Sequence, residues 1–303
     1  MSKDWQPKVI LFDIGGVCVS LDRLPAPQSS PSDVQQVISP FQAILDYELS
    51  LGIPPGWVNY SISRTAPDGF WHRLEKGQIA MDEHFFAGFN RDLHDPARWE
   101  AFYRTQQAGN PDLPEETPPL PRLDGEWLFN EMMTKSHRPD PWMLPALEKL
   151  KASGQYVLAA LSNTVIFPPG HRLYREDGRD DPVRSVFDVF VSSAHVGLRK
   201  PDPEIYKLAV RMADEYARSA AAAERGRRHG WAAGVEPRDV LFLDDIGENL
   251  KAGRLQGFRT IKVPLGRAFE AVDELERITG LRLAGDHPRI PVQPTVHKSK
   301  ARL

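Results

Sequence analysis

The 303-residue chain has little of what would mark several other classes of protein. Its one cysteine, Cys18, excludes an intramolecular disulfide framework and any zinc site built from several thiolates. No stretch approaches the roughly 18–20 consecutive apolar residues of a membrane span, and the mean hydropathy is −0.42. Residues 1–8 are polar and do not resemble a secretory signal. These absences predict a soluble intracellular protein without a membrane partner.

The charges of the chain are nearly balanced. Lys and Arg number 38 against 41 Asp and Glu, which gives a net charge of −3 and excludes a generally basic nucleic-acid binder. Hydrophobic residues make up 41% of the chain, enough to build a packed core. The 27 prolines exceed the average frequency of about 5%, and we expect this excess in loops and insertions because proline interrupts helices and strands.

Five short apolar runs predict the strands of a buried sheet. They cover residues 8–12, 155–161, 186–191, 239–243 and 259–263. The runs are continuous rather than alternating, which is typical of parallel strands covered by helices on both faces. Helical patterns separate several of them, at residues 144–152, 203–217 and 249–256. The sequence therefore predicts an α/β fold with a doubly wound, mostly parallel, Rossmann-like sheet.

The long segment between the first two runs has no strand pattern, and it predicts an inserted domain. Apolar residues recur at helical spacing in residues 41–51 and 70–89. We therefore expect an α/β core formed by residues 1–21 and 140–285, and a helical cap with Pro-rich loops at residues 22–139. Residues 286–303 are expected to form a disordered basic tail. The Ala- and Arg-rich residues 219–234 are expected to be a mobile insertion.

Four motifs that follow predicted strands, in this order, carry a family resemblance. They are FDIGGV at residues 12–17, LSN at 161–163, GLRKPDPEIY at 197–206 and FLDDIGENL at 242–250. The chain resembles the haloacid dehalogenase (HAD) superfamily of phosphotransferases and hydrolases. In addition, WHRLEKGQI at residues 71–79 resembles the subgroup that contains the phosphatase domain of soluble epoxide hydrolase and bacterial sugar-phosphate phosphatases.

The resemblance implies a nucleophile and a metal site. Asp13 is the expected nucleophile, because a strand-end aspartate can attack phosphorus and form an acyl-phosphate intermediate. Asp13 and Asp245, with the backbone carbonyl of Gly15, supply hard oxygen ligands that suit Mg²⁺. The expected substrate is a small phosphorylated metabolite.

Five further residues are expected to support this chemistry. Lys200 would offset the negative charge of the nucleophile and the phosphoryl group. Ser162 and Asn163 would hold phosphate oxygens through the hydroxyl, the amide or backbone N–H groups. Asp244 would orient Lys200, and Asn249 would brace the loop from behind.

One position departs from the family pattern and leaves three interpretations open. Most HAD phosphatases carry an acid–base aspartate two residues after the nucleophile, where this chain has Gly15; its loss typically costs about 10²–10⁴-fold in rate. The chain is then a slower phosphatase, for which an anomeric sugar phosphate is a suitable substrate. Alternatively, it is a catalytically weak HAD-fold protein that binds a phosphometabolite or a protein. The third interpretation is a metal-independent 2-haloacid dehalogenase, against which the pair Asp244 and Asp245 argues.

The last three residues predict a cellular address. Ala301-Arg302-Leu303 resembles the C-terminal tripeptide that the peroxisomal import receptor reads, whose prototype is Ser-Lys-Leu. We expect peroxisomal localisation with the import receptor as a partner, and cytoplasmic localisation as the alternative.

Overall fold

The computed structural model describes residues 5–20, 40–135, 138–174 and 181–292. The C-terminal tripeptide at 301–303 and the first part of the predicted cap, residues 22–39, lie outside these ranges. In the described part of the chain, no helix combines the length and the apolar character needed to cross a membrane.

The core is built on a five-stranded parallel sheet with the order β5-β4-β1-β6-β7. A separate antiparallel pair, β2 with β3, joins the two chain segments that lead into and out of the cap. The strands are β1 (Val9–Phe12), β2 (Val19–Ser20), β3 (Arg138–Pro139), β4 (Val157–Ser162), β5 (Val189–Ser192), β6 (Val240–Asp244) and β7 (Arg259–Lys262). The predicted α/β fold class is confirmed.

The inserted cap is helical, and it has its own apolar core. Its helices in the described residues are α1 (Pro40–Ser50), α2 (Trp57–Arg64), α3 (Phe70–Glu75), α4 (Glu83–Leu93), α5 (Pro96–Gly109) and α6 (Gly125–Lys135). Trp57, Phe85, Phe89 and Phe129 are fully buried together. The helical pattern expected across residues 70–89 is divided into α3 and α4 by a loop that contains Gly77 at φ 62°.

Helices cover both faces of the core sheet. They are α7 (Met143–Ser153), α8 (Ser193–Val196), α9 (Pro203–Ala217), α10 (Ala223–His229), α11 (Gly247–Leu255) and α12 (Ala268–Thr279). Successive residues of β1 point to opposite faces. Ile10 and Phe12 pack with α7 and α12, whereas Val9 and Leu11 pack with α9 and α11. This double cover explains why the strands are continuously apolar.

Two segments are more ordered than the sequence predicts. The expected mobile insertion at 219–234 holds a 3-10 helix (Ala220–Ala222) and α10, because fully buried Trp231 anchors it and donates its indole N–H to the Gln155 carbonyl at 3.0 Å. The disordered tail was expected from residue 286. Instead, the Pro288 carbonyl accepts the indole N–H of Trp142 at 3.0 Å, and the N–H of Val292 donates to Gly266 at 2.9 Å.

Candidate active site

The parallel register places three carboxylates at the carboxyl edge of the sheet. Phe12 of β1 pairs with Leu243 of β6, so that Asp13 and Asp244 follow at neighbouring positions. The N–H of Asp13 donates to the Leu243 carbonyl at 2.8 Å, which extends the strand ladder by one residue. With Asp245, these residues offer carboxylate oxygens that all lie within 4.8 Å of one another.

Lys200 lies between two of these carboxylates. It is only 1% exposed, and its Nζ lies 2.8 Å from Asp13 Oδ2 and 2.7 Å from Asp244 Oδ2. Asn163 holds its backbone from both sides: Asn163 Oδ1 accepts the Lys200 N–H at 2.8 Å, and Asn163 Nδ2 donates to the Lys200 carbonyl at 3.1 Å. The Asn163 amide thus binds the Lys200 backbone, whereas the sequence predicts it as a phosphate ligand.

Asp244 is surrounded by donors. Besides the Lys200 ammonium, Asp244 Oδ1 accepts the N–H of Ile246 at 2.7 Å, and Asn249 Nδ2 lies 3.1 Å from both Asp244 oxygens. The Asn249 carbonyl in turn accepts the Tyr206 hydroxyl at 3.0 Å. Asp244 is therefore held toward Lys200 rather than toward open space, which leaves Asp13 and Asp245 as the carboxylates available to a further ligand.

The site brings three carboxyl groups together with the Lys200 ammonium. Burial raises the pKa of Asp13 to about 7; the Lys200 ammonium opposes this shift and the Asp244 carboxylate adds to it. Burial, together with the Asp13 and Asp244 charges, raises the pKa of Asp245 to about 8. Burial alone would lower the pKa of Lys200, but the two carboxylates beside it outweigh this and hold its pKa above the usual value. When all three carboxyl groups are ionised, they exceed the one ammonium by two negative charges, which a divalent cation would neutralise.

The residues at this edge fit Mg²⁺. Asp245 Oδ1 is buried and has no hydrogen-bond partner within the described residues, as expected of a ligand atom waiting for a cation. Carboxylate oxygens are the hard ligands that Mg²⁺ prefers. Gly16 permits this arrangement, because a Cβ there would lie 2.6 Å from Asp245 Oδ2 and its φ is 76°. Asp13 and Asp245 would hold the ion, with the Gly15 carbonyl as the predicted third ligand.

Ser162 is the remaining predicted residue. It ends β4 and is 3% exposed, and within the described residues its Oγ has a single long contact, 3.5 Å from the Asn163 carbonyl. Its strand neighbour is Ser192, whose hydroxyl contacts Thr164 Oγ1 at 2.6 Å and His195 Nδ1 at 2.7 Å. A hydroxyl without a strong partner suits an oxygen of a bound ligand.

The comparison with protein families agrees with these motifs and this fold. A family model described as haloacid dehalogenase-like hydrolase matches residues 7–257. The chain belongs to this family.

Several known proteins are similar to this haloacid dehalogenase-like hydrolase. Acyl-CoA dehydrogenase family member 10 of Mus musculus is 26% identical over 294 residues, which cover 97% of this chain and 21% of the relative. Bifunctional epoxide hydrolase 2 of Sus scrofa is 28% identical over 236 residues, or 78% of this chain and 35% of the relative. The chain therefore spans about a fifth to a third of the curated relatives it matches.

Among solved structures, one similar fold is a HAD family enzyme of Bacteroides thetaiotaomicron in complex with magnesium and inorganic phosphate. It is 20% identical, with a TM-score of 0.43, and the match covers 88% of this chain and 98% of that one.

Two further residues, for which the sequence predicts no role, lie beside the site. Glu75 of α3 and Arg199, directly before Lys200, form an ion pair between cap and core. Each lies inside a motif, Glu75 in residues 71–79 and Arg199 in residues 197–206. Their contact could not be predicted, because no sequence spacing relates residues that are 124 positions apart.

Proposed function

We propose that this hydrolase is a Mg²⁺-dependent phosphatase that acts on a small phosphorylated metabolite through an aspartyl-phosphate intermediate. The observation that carries the proposal is the buried arrangement of Asp13, Lys200 and Asp244 beside Oδ1 of Asp245, which has no hydrogen-bond partner among the residues that the structure describes. Phosphoryl transfer needs a nucleophile, a positive charge beside the phosphoryl group and a ligand for a cation. The Asp13 carboxylate, the Lys200 ammonium and the Asp245 oxygen can supply these three groups.

In the first step, a carboxylate oxygen of Asp13 attacks phosphorus as the bond to the leaving-group oxygen breaks. Lys200, held by Asp244 and Asn163, keeps its ammonium against Asp13 and offsets the charge of the incoming phosphoryl group. When bound, Mg²⁺ supplies charge neutralisation for the phosphate dianion. Water then attacks the phosphorus of the aspartyl phosphate as the bond to the Asp13 oxygen breaks, which releases phosphate and restores the Asp13 carboxylate. The proton that this water loses goes to solvent, and the leaving-group oxygen of the first step takes up a proton from solvent.

The leaving group limits the choice of substrate. Because Gly15 has no side chain to donate a proton, a substrate whose leaving group departs without one is hydrolysed best. Anomeric sugar phosphates have such leaving groups, so we propose them ahead of ordinary alkyl phosphates.

Gly15 also supports a second candidate function, a catalytically weak protein that binds a phosphometabolite or a protein partner through the same site. Hydrolysis of an aryl phosphate by the purified protein separates the two, because the binding protein holds inorganic phosphate without turnover. Chloroacetate in the same assay tests the metal-independent dehalogenase, which the Asp244 and Asp245 pair disfavours.

The test of the proposed function is the substitution Asp13→Asn, which keeps the side-chain shape but removes the nucleophile. We expect Mg²⁺-dependent turnover of an aryl phosphate to fall to background, and EDTA to have the same effect on the unaltered protein. Circular dichroism of the variant checks that the fold is intact. Turnover of Asp13→Asn at the rate of the unaltered protein would contradict the mechanism.

Peroxisomal import, with the import receptor as partner, is a proposal that rests on Ala301-Arg302-Leu303 alone. It applies to a chain that ends at Leu303. A fluorescent protein fused before residue 1 should label peroxisomes, and deletion of residues 301–303 should make the signal diffuse. Diffuse signal from the intact fusion would contradict the proposed address.

A further inference from the structure

The cap motif at residues 71–79 makes a polar contact with the core beside Lys200. Nε and Nη2 of Arg199 lie 2.8 Å and 2.7 Å from the same oxygen, Oε2 of Glu75. Glu75 is 8% exposed, and the side chain of Trp71, at the start of the motif, adds a hydrogen bond to its carboxyl group. The pair therefore joins α3 of the cap to the turn that carries Lys200, largely out of water.

A second contact joins the same part of the cap to the core. The hydroxyl of fully buried Ser193 donates to the Glu75 carbonyl at 2.6 Å and accepts the N–H of Thr164 at 2.8 Å. Two residues further along the motif, Gly77 lies against the Ala194 carbonyl, and a Cβ at Gly77 would be 2.1 Å from that oxygen. The motif thus meets the core at three points: the Glu75 carboxylate contacts Arg199, the Glu75 carbonyl contacts Ser193, and Gly77 lies against Ala194.

Both contacts end on the segments that hold Lys200. Arg199 is its direct neighbour in the chain, and Thr164 directly follows Asn163, whose amide binds the Lys200 backbone on both sides. Displacement of α3 from the core would therefore pull on both segments at once.

We propose that Glu75 and Arg199 are positioning residues that couple the seating of the cap to the position of the Lys200 ammonium. The proposal rests on the phosphatase function proposed above. Lys200 has to meet Asp13 and Asp244 at hydrogen-bond distance, and a displacement of about 1 Å in an active site can cost about 10²-fold in rate. Turnover then requires that α3 of the cap lies against the core, because the ion pair between Glu75 and Arg199 forms only in that position.

The main variant is Glu75→Gln, which keeps the shape of the side chain and removes its charge. We expect kcat for an aryl phosphate to fall at least about tenfold while KM changes less than about threefold, because Lys200 acts on the transferring group. Arg199→Gln should give a similar loss, and the double variant should lose little more than either single one, because both changes break the same contact. Arg199→Lys keeps the charge without the planar fork and should recover part of the loss.

The matched control is Glu48→Gln. Glu48 is also a buried cap carboxylate, but it accepts the N–H groups of Gly56 and Val58 inside the cap. This variant should lower the stability of the cap and leave kcat unchanged. An equal loss of kcat in Glu48→Gln, or additive losses in the double variant, would show that Glu75 acts only through general stability.

Amide hydrogen exchange gives a readout independent of catalysis. The N–H groups of Lys200 and Thr164 donate to side chains of the coupled segments, so both should exchange faster in Glu75→Gln, while the β6 amides should not change. Faster exchange in a protein without phosphatase activity would contradict the proposed function and leave the coupling supported. Unchanged exchange, or an active protein with unchanged kcat in Glu75→Gln, would overturn the coupling.

Discussion

Gly15 leaves space where a side chain could act on the leaving group. A Cβ at this position would meet no atom of the described residues within 4 Å, and the φ of Gly15 lies outside the left-handed region. The neighbouring Gly16 is different, because its φ is 76° and a Cβ there would collide with Asp245. The loop therefore requires glycine at one of the two positions only, and the other is free to carry an acid.

Gly15→Asp should raise turnover on alkyl phosphates by about 10²-fold and raise turnover on aryl phosphates much less. The added carboxyl group would protonate a poor leaving group, whereas an aryl oxide departs without help. Steady-state kinetics on both substrate classes measure the difference. Gly16→Asp is the matched control and should lose activity. Equal gains on both classes would mean that proton donation does not limit the rate.

His72 makes the stability of the protein depend on pH. It is 3% exposed, and burial together with the charges of Arg199 and Lys76 lowers its pKa to about 4, against the opposing charge of Asp68. Unfolded histidine binds a proton below about pH 6.5, whereas folded His72 does so only near pH 4. The unfolded state thus binds more protons in this window, and the free energy of unfolding falls as the pH falls through it.

The expected size of this effect is about 3 kcal/mol between pH 7 and pH 4, because one pKa unit corresponds to about 1.4 kcal/mol. Urea unfolding of the unaltered protein and of His72→Gln should show a shallower pH dependence in the variant. His84→Gln, at an exposed cap position, is the control. A difference between His72→Gln and the unaltered protein that stays constant with pH would rule out this contribution.

At the scale of elements, Asp188 connects β5 to its neighbours. Its Oδ2 accepts the N–H of Leu158 in β4 at 3.0 Å, and its Oδ1 lies 2.7 Å from Lys151 of α7 and 3.2 Å from Arg225 of α10. Burial acts to raise the pKa of Asp188, but the hydrogen bonds from Arg225 and Lys151 outweigh it and lower the pKa below the usual value. Its stabilisation is therefore present above about pH 4 and is lost as the pH falls further.

Asp188→Asn should lower the free energy of unfolding at pH 7 by about 2 kcal/mol, because it leaves two basic groups beside a neutral amide. The loss is smaller than for a fully buried pair, since the Lys151 and Arg225 side chains are 38% and 29% exposed. Denaturant unfolding measures it, with Glu224→Gln in the exposed pair with Arg228 as a control near zero. A loss that does not shrink toward pH 3 would contradict the role of the charge.

The segment before Asp188 differs from its sequence prediction. The apolar run predicts a strand from residue 186, but a 3-10 helix (Arg184–Val186) precedes β5, which starts only at Val189. The strand ends at the active site were easier to predict. An apolar run that stops at Asp13 or Asp244 indicates both a buried strand and the point where that strand ends at the edge of the sheet. The strands β2 and β3 have only two residues each, too few to show the alternation that predicts a strand. The ordered structure at residues 219–234 depends on Trp231, whose hydrogen-bond partner Gln155 is distant in sequence.

At the scale of the molecule, the contacts between cap and core could not be predicted from the sequence. Motifs identified the residues that the sheet edge brings together, since parallel strands end on one side. The ion pair of Glu75 and Arg199 depends on how a separate helical unit lies on the core, which no periodicity specifies. The Asn163 amide shows the same limit within the core. An amide side chain suits an anionic ligand, but this one binds the backbone of Lys200 in the neighbouring turn.

The central position of β1 has a consequence for synthesis. The register pairs Val9 with Val157 on one side and with Val240 on the other, so β1 is synthesised well before its partner β6. At about 5–20 residues per second, this delay is on the order of tens of seconds. The cap helices are contiguous in sequence and can form meanwhile. We therefore expect chaperones that bind short hydrophobic stretches to contact the apolar Val9–Phe12 segment during synthesis, before β6 is available and while the cap helices can already pack together.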